Sequence, residues 1–392
     1  MGKYSVTALA LSYSLLVMTH LPTALFVSIF LLPYVTILQK YTSCPKLISK
    51  FFFSIAIGIM LSGAYLVPAL LSQDYITVEK LWQPYYQYHR WFFLDGVDSP
   101  NPGLETKLLI MLLCYSLAFF PAWFIAHKRH TGRKRVMSFA WFIFFVGAWF
   151  LMLPFSRFVW EFIPFLQKVQ FPWRVLVIVD ITVVSSLVLA MQSVQGMNNR
   201  RLFFFLIGIS VLFCTLSFYE STTIFQWHWH LHKDEVHQAK LNSALDIGYD
   251  PHEYIPSSVK LSRRETWAAV GSHKKVSFVS GNGAVNVVQW DPRIIGLDVN
   301  LVRETELRIR QFHYPGWQAE FSDNDTKPLL VPSGSTGIIK MVAPAGQYKL
   351  TLSLQPLWQE VLGWISSGIA CLILICHSAI HLLRRNHLRT SN

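Results

Sequence analysis

The chain has 392 residues, of which 52% are hydrophobic and 14% charged, and its formal net charge is +12. Soluble domains carry about 25% charged residues, so these proportions exclude an ordinary soluble fold and point to helices that cross a membrane. The positive charge does not mark a nucleic-acid partner: the segments between alternate apolar runs hold 14 of the 34 Lys and Arg and none of the 22 Asp and Glu, the pattern of loops kept on the cytoplasmic side.

Eight apolar runs predict eight spans: Tyr4 to Thr19, Thr23 to Leu38, Phe51 to Leu71, Lys107 to Ala126, Val136 to Leu153, Arg174 to Met191, Leu202 to Tyr219 and Trp358 to Leu382. The first lacks a small-x-small cleavage site and reads as a retained helix. It and the second are short for about 30 Å of hydrocarbon and are joined only by His20-Leu21-Pro22, so they form either a tight hairpin or one broken helix. An even number of spans puts both termini in the cytoplasm. Residues 1–219 then form a helical bundle of seven spans, residues 220–357 an extracytoplasmic domain, and residues 358–392 a final span with a basic tail.

The first long outer loop, Ser72 to Glu105, is rich in aromatic residues around two cations, with Tyr88, His89, Arg90 and Trp91 at its centre. Rings beside a cation stack on a sugar or cradle a phosphorylated headgroup. The same composition also builds an aromatic belt at the membrane surface.

Residues 154–173 read as two interfacial helices. Phe155, Phe158, Phe162, Phe165 and Val169 recur at three- and four-residue spacing, while Arg157 and Glu161 stand four apart and can pair on the polar side. Pro164 starts the second helix and Pro172 ends it, before Trp173 and Arg174 open the next span. Asp180 lies six residues into the span, at about 9 Å depth for ~1.5 Å rise per residue. A carboxylate there needs a partner, a wet cleft or a proton, so Asp180 is a candidate functional residue, with Arg157, Arg174 or a hydroxyl as a purely structural partner.

In the polar segment that follows, His228, His230 and His232 fall on one side if extended, and three imidazoles suit zinc or another divalent metal. Beyond Lys274 the pattern turns to strands. Ile295, Leu297, Val299 and Leu301 alternate with polar residues, as do Leu307 and Ile309, then Tyr348, Leu350, Leu352 and Leu354, separated by Gly and Pro turn signals. A small β-sandwich over about residues 274–355 is expected.

Three stretches together carry a family resemblance: Ser62-Gly63-Ala64-Tyr65-Leu66-Val67-Pro68-Ala69-Leu70, Gln170-Phe171-Pro172-Trp173-Arg174, and Asp250-Pro251-His252-Glu253-Tyr254-Ile255-Pro256. They resemble the bacterial membrane proteins labelled as 6-pyruvoyl-tetrahydropterin synthase-related. His313-Tyr314-Pro315-Gly316-Trp317, followed by the Ala343 to Gly346 turn, is similar to the outer β-domain of YfhO-like proteins. The resemblance implies a GT-C-like fold in the bacterial inner membrane and an enzyme using a polyprenyl-phosphate-linked sugar at the outer face, with Arg157, Lys168, Trp173 and Arg174 as candidates for holding the lipid phosphate, Asp180 or Glu161 as catalytic acid or base, and Glu253 among the substrate contacts. Such enzymes place an acidic residue in the first outer loop, whereas the Thr19 to Pro22 connection here has no carboxylate. The chain is therefore expected to match the C-terminal portion of such a protein, with a separately encoded N-terminal half, a shortened and inactive product, or its own later loops doing the work. A non-catalytic envelope protein whose β-domain binds a glycan or a protein is the alternative.

Overall fold

The computed structural model describes residues 6–41, 46–78, 86–95, 99–194, 204–216, 218–219, 222, 255–260, 275–322 and 327–390. Helices α1 to α6 cover Val6–Thr19, Leu21–Lys40, Leu47–Leu61, Gly63–Leu71, Pro102–Arg129 and Gly132–Leu151. The short α7 and α8 cover Arg157–Phe162 and Pro164–Gln167, α9 covers Leu176–Val194, α10 covers Phe204–Leu216 and α11 covers Trp358–Thr390. Among the described residues, five helical segments are long and apolar enough to cross a membrane: Leu21–Lys40, Pro102–Arg129, Gly132–Leu151, Pro172–Val194 and Trp358–Ile380. The bent pair α3 and α4 passes as a sixth, whereas α1 and α10 are shorter apolar helices. The molecule is a multi-pass membrane protein. At ~1.5 Å per residue, the 14 residues of α1 reach about 21 Å, short of the hydrocarbon thickness.

Contacts divide the chain into two units: residues 1–62, 82–234 and 369–392 in one, and residues 63–81 and 235–368 in the other. Backbone pairing links the segment that follows α4 to residues 255–257. Ile76 pairs with Pro256, Thr77 N–H donates to Ile255 O at 3.0 Å, and Ser257 N–H donates to Tyr75 O at 3.0 Å.

In the first unit α9 is the central helix and packs on α5 and α6. Ile178, Val179, Thr182, Val183, Ser186, Leu187 and Ala190 are all buried, so it is covered on most sides. Its Val and Ile content disfavours a helix in water, but hydrocarbon leaves no other way to satisfy the backbone. Phe119 of α5 stacks on Phe145 of α6 with centroids 3.9 Å apart. Leu117, Phe120, Phe124 and Ile143 on the same helices are exposed, as lipid-facing positions are.

The α1 to α2 connection is a hairpin. Tyr13 and Ser28, seven and eight residues to either side of the single linking residue His20, are bonded at 2.7 Å. Because the Ser28 hydroxyl proton goes to Ala24 O at 2.7 Å, Tyr13 is the donor. His20 caps α2 by accepting the Thr23 N–H on Nδ1 at 3.2 Å.

Among the described residues, the second unit carries eight strands: β1 Val276–Phe278, β2 Gly283–Trp290, β3 Ile294–Leu301, β4 Thr305–Phe312, β5 Trp317–Phe321, β6 Val331–Pro332, β7 Ile338–Ala343 and β8 Gly346–Leu354. They form two four-stranded sheets, ordered β1-β4-β7-β6 and β2-β3-β8-β5, with antiparallel pairing throughout. The alternation read from sequence holds. Ile295, Leu297, Val299, Leu301, Leu307 and Ile309 join Met341, Leu350 and Leu352 in one buried cluster fed by both sheets. Tyr314 to Trp317 is a turn closed by a 3.3 Å bond, with Gly316 at φ 101°. That conformation, and a Gln355 carbonyl that a Cβ would meet at 2.7 Å, restrict the position to glycine.

Candidate functional site

One end of the helical unit gathers most of the residues singled out from sequence. Pro154 and Ser156 turn the chain out of α6; the Ser156 hydroxyl donates back to Leu153 O at 2.8 Å. That turn sets Trp160, fully buried, with its Nε1 donating to Leu151 O at 3.1 Å. Trp160 is the hub of an aromatic cluster. Tyr88 stacks flat on it at 5.5 Å, while Phe92 and Phe26 meet it edge-on at 6.0 and 6.3 Å. A ring pair of this geometry contributes ~0.5–1.5 kcal/mol beyond the area it buries.

With Trp160 turned inward, the phenylalanines of α7 and α8 are turned out. Phe155, Phe158, Phe162 and Phe165 are 76%, 64%, 85% and 68% exposed, whereas Val169, the fifth member of the expected stripe, is buried. Four adjacent rings in water would be unfavourable, and the ridge instead suits the edge of a bilayer. Gln167 secures the end of α7 by donating to Trp160 O at 3.1 Å and Glu161 O at 3.3 Å.

The charged groups around the ridge are arranged as follows. Arg157 forms an ion pair with Asp95 at 3.5 Å, not the one with Glu161 that helical spacing suggests. Asp95 comes from the loop after Trp91, and nothing in the spacing identifies it. Glu161 and Arg157 both act on the Tyr88 hydroxyl: burial and the Glu161 carboxylate push its ionisation upward, and Arg157 opposes them. Lys168 is exposed, with its ammonium 6.0 Å from the Phe165 ring. His89 lies edge-on to Tyr88 at 5.7 Å; Arg90 is half-buried and Trp91 buried against Phe171 at 5.1 Å.

Arg174 faces inward. Its Nη1 donates to Val169 O at 2.7 Å and the guanidinium lies 4.8 Å over the Phe171 ring, which in turn stacks on Trp173. Gln170, at φ 71°, makes the sharp bend that allows this return. Arg174 thus ties the entry of α9 to the loop before it. It also acts on His20, whose protonation is disfavoured by burial and then by this guanidinium. His20 is a member of this neighbourhood that its sequence setting, a helix connection, does not disclose.

Asp180 belongs to a different place. It accepts a hydrogen bond from Tyr115 of α5, and its Oδ1 is buried with no partner. The expected hydroxyl partner is therefore present, and neither Arg157 nor Arg174 serves. The signal was available, because Tyr115 is a lone phenol in the apolar run of α5.

The remaining expectations, Glu253 and the histidines His228, His230 and His232, lie outside the described residues. Among the described residues no group of three or more His, Cys, Asp or Glu side chains is placed to hold a metal ion. In comparisons with protein-family models, curated proteins and solved structures, the chain matches none.

Proposed function

We propose that this protein handles a polyprenyl-phosphate-linked sugar at the membrane surface, in the manner of GT-C glycosyltransferases and in line with the resemblance to YfhO-like proteins. The observation that carries the reading is the exposed ridge of Phe155, Phe158, Phe162 and Phe165 flanked by Arg157 and Lys168, beside a tyrosine influenced by both Glu161 and Arg157. An isoprenoid chain lies along the ridge, the two cations hold the phosphate as leaving group, and the Glu161 carboxylate takes the proton of the acceptor hydroxyl. In this reading Arg174 is a positioning residue. The basic loops favour an orientation with both termini in the cytoplasm and the sheets, read as a β-sandwich, on the outer face of a bacterial inner membrane.

A non-catalytic envelope protein is the second reading. It is favoured by Asp180, which is engaged by Tyr115, and by the Arg157 to Asp95 ion pair, so that among the described carboxylates of this neighbourhood Glu161 is the candidate left for proton transfer. The test is native mass spectrometry of the full chain in zwitterionic nanodiscs supplied with polyprenyl phosphate. Arg157→Ala combined with Lys168→Ala should lower retention at least tenfold, while Glu161→Gln should retain the lipid and lose sugar transfer from the glycosylated form. Undiminished retention by the double variant would overturn the lipid-phosphate assignment; transfer unaffected by Glu161→Gln would overturn the enzyme.

A further inference from the structure

Strand register assembles a second group of cations in the β region. Ser277, Arg308, Lys340 and Val331 stand in one row across β1, β4, β7 and β6. Leu307, Ile309 and Met341, their neighbours along the strands, are buried in the core, so Arg308 and Lys340 project from the opposite face of the sheet. Two cations directly opposed across an antiparallel ladder repel each other. Arg310 follows two positions along on the same strand, inside the irregularity between Ile309 and Phe312. Such a bulge re-aims the side chain it carries.

Glu306 bonds Lys340 at 3.3 Å and is the carboxylate seen to join this group. Arg308 and Arg310 have no acidic partner among the described residues, and the buried Arg308 Nε and Arg310 Nη1 donate to nothing. The neighbouring Lys275 accepts the Arg310 N–H on its carbonyl at 2.9 Å, but its ammonium is held 4.8 Å over the Trp290 ring. Three cations against one carboxylate leave an excess of two positive charges. Unsatisfied donors in half-buried planar guanidinium groups match the oxygens of a tetrahedral dianion. Loop charges that orient a membrane protein flank its spans, so that rule does not account for a cluster in mid-strand.

We infer that Arg308, Arg310 and Lys340 form a binding site for a phosphate monoester on the face of the β1-β4-β7-β6 sheet. The site is separate from the proposed lipid-phosphate ridge and stands whether or not that ridge binds polyprenyl phosphate. Its test is calorimetric titration of the full chain, in phosphatidylcholine nanodiscs, with inorganic pyrophosphate. Arg308→Gln combined with Arg310→Gln should weaken binding at least tenfold. Lys327→Gln combined with Lys349→Gln, which removes two charges elsewhere in the β region, should weaken it less than twofold. Equal losses in both double variants would reduce the site to general electrostatics, and unchanged binding in the arginine variant would overturn it. Thermal unfolding supplies the folding control: the arginine variant should melt no lower than wild type, because a repulsion is relieved, and a lower melting point would make the arginines structural. Nanodiscs doped with phosphatidic acid identify the source of the phosphate. Competition with pyrophosphate assigns the site to a lipid headgroup; no competition assigns it to a soluble phosphate ester.

Discussion

At the scale of single residues, the most consequential contact is the hydrogen bond between Tyr115 and Asp180 in the apolar seam of α5 and α9. A carboxyl group inside a bundle is costly, and Oδ1 lacks a partner, so the hydrogen bond from the phenol offsets part of that cost. Tyr115 is also packed against Phe213 of α10 at 4.8 Å, which fixes the ring for that bond. Tyr115→Phe keeps the packing and removes only the donor. Thermal unfolding in detergent should show a loss of about 1–3 kcal/mol, the usual cost of orphaning a buried polar group. Adding Asp180→Leu to that variant should restore most of the loss, since removing both partners is close to neutral. A Tyr115→Phe protein as stable as wild type would show that the bond contributes nothing.

At the scale of elements, the Ser62 break and the start of α4 show how two glycines organise a helix contact. The Ser62 hydroxyl turns back to Ile59 O at 2.9 Å and ends α3. The freed Ala64 N–H at the start of α4 is satisfied by the Ser367 hydroxyl of α11 at 2.9 Å, in place of a capping residue of its own. That donation requires close backbones: a Cβ at Gly363 would meet Gly63 O at 2.5 Å, and one at Gly63 would meet Ser366 Cβ at 2.8 Å. Gly363→Ala should therefore destabilise the α4 and α11 contact by about 1–3 kcal/mol, as overpacking does, measured as a lowered melting temperature in detergent. Gly368→Ala, where an added methyl meets nothing within 4 Å, should be neutral or slightly stabilising. The short helices α7 and α8 obey the same logic of local termination. Pro154 opens the single turn that leads into α7, Pro164 opens α8, Gln167 closes α7, and the result is a ridge with its phenylalanines outward and Trp160 inward.

At the scale of the whole molecule, membrane residence follows from composition, and the proposed sidedness rests on where Lys and Arg fall. A reporter active only in the cytoplasm, fused after Arg135, should be active, and one fused after Gly248 silent; the reverse result would invert the proposed orientation. What the sequence determined by itself was where the apolar helices fall, the alternating strands and their turns, because side-chain periodicity and Gly or Pro geometry act over a few residues and need no partner; the eight unbroken spans it suggested reduce, among the described residues, to five long helices and a pair bent by 70° at Ser62. It also marked two short helices within residues 154–173. The tertiary structure decided the rest. It paired Arg157 with Asp95, gave Asp180 to Tyr115, brought His20 under the influence of Arg174, grouped residues 63–81 with 235–368, and set Arg308 opposite Lys340. Each of these joins residues far apart in the chain, and short-range pattern carries no information on which distant segments meet; that choice is made by the simultaneous packing of all the apolar faces.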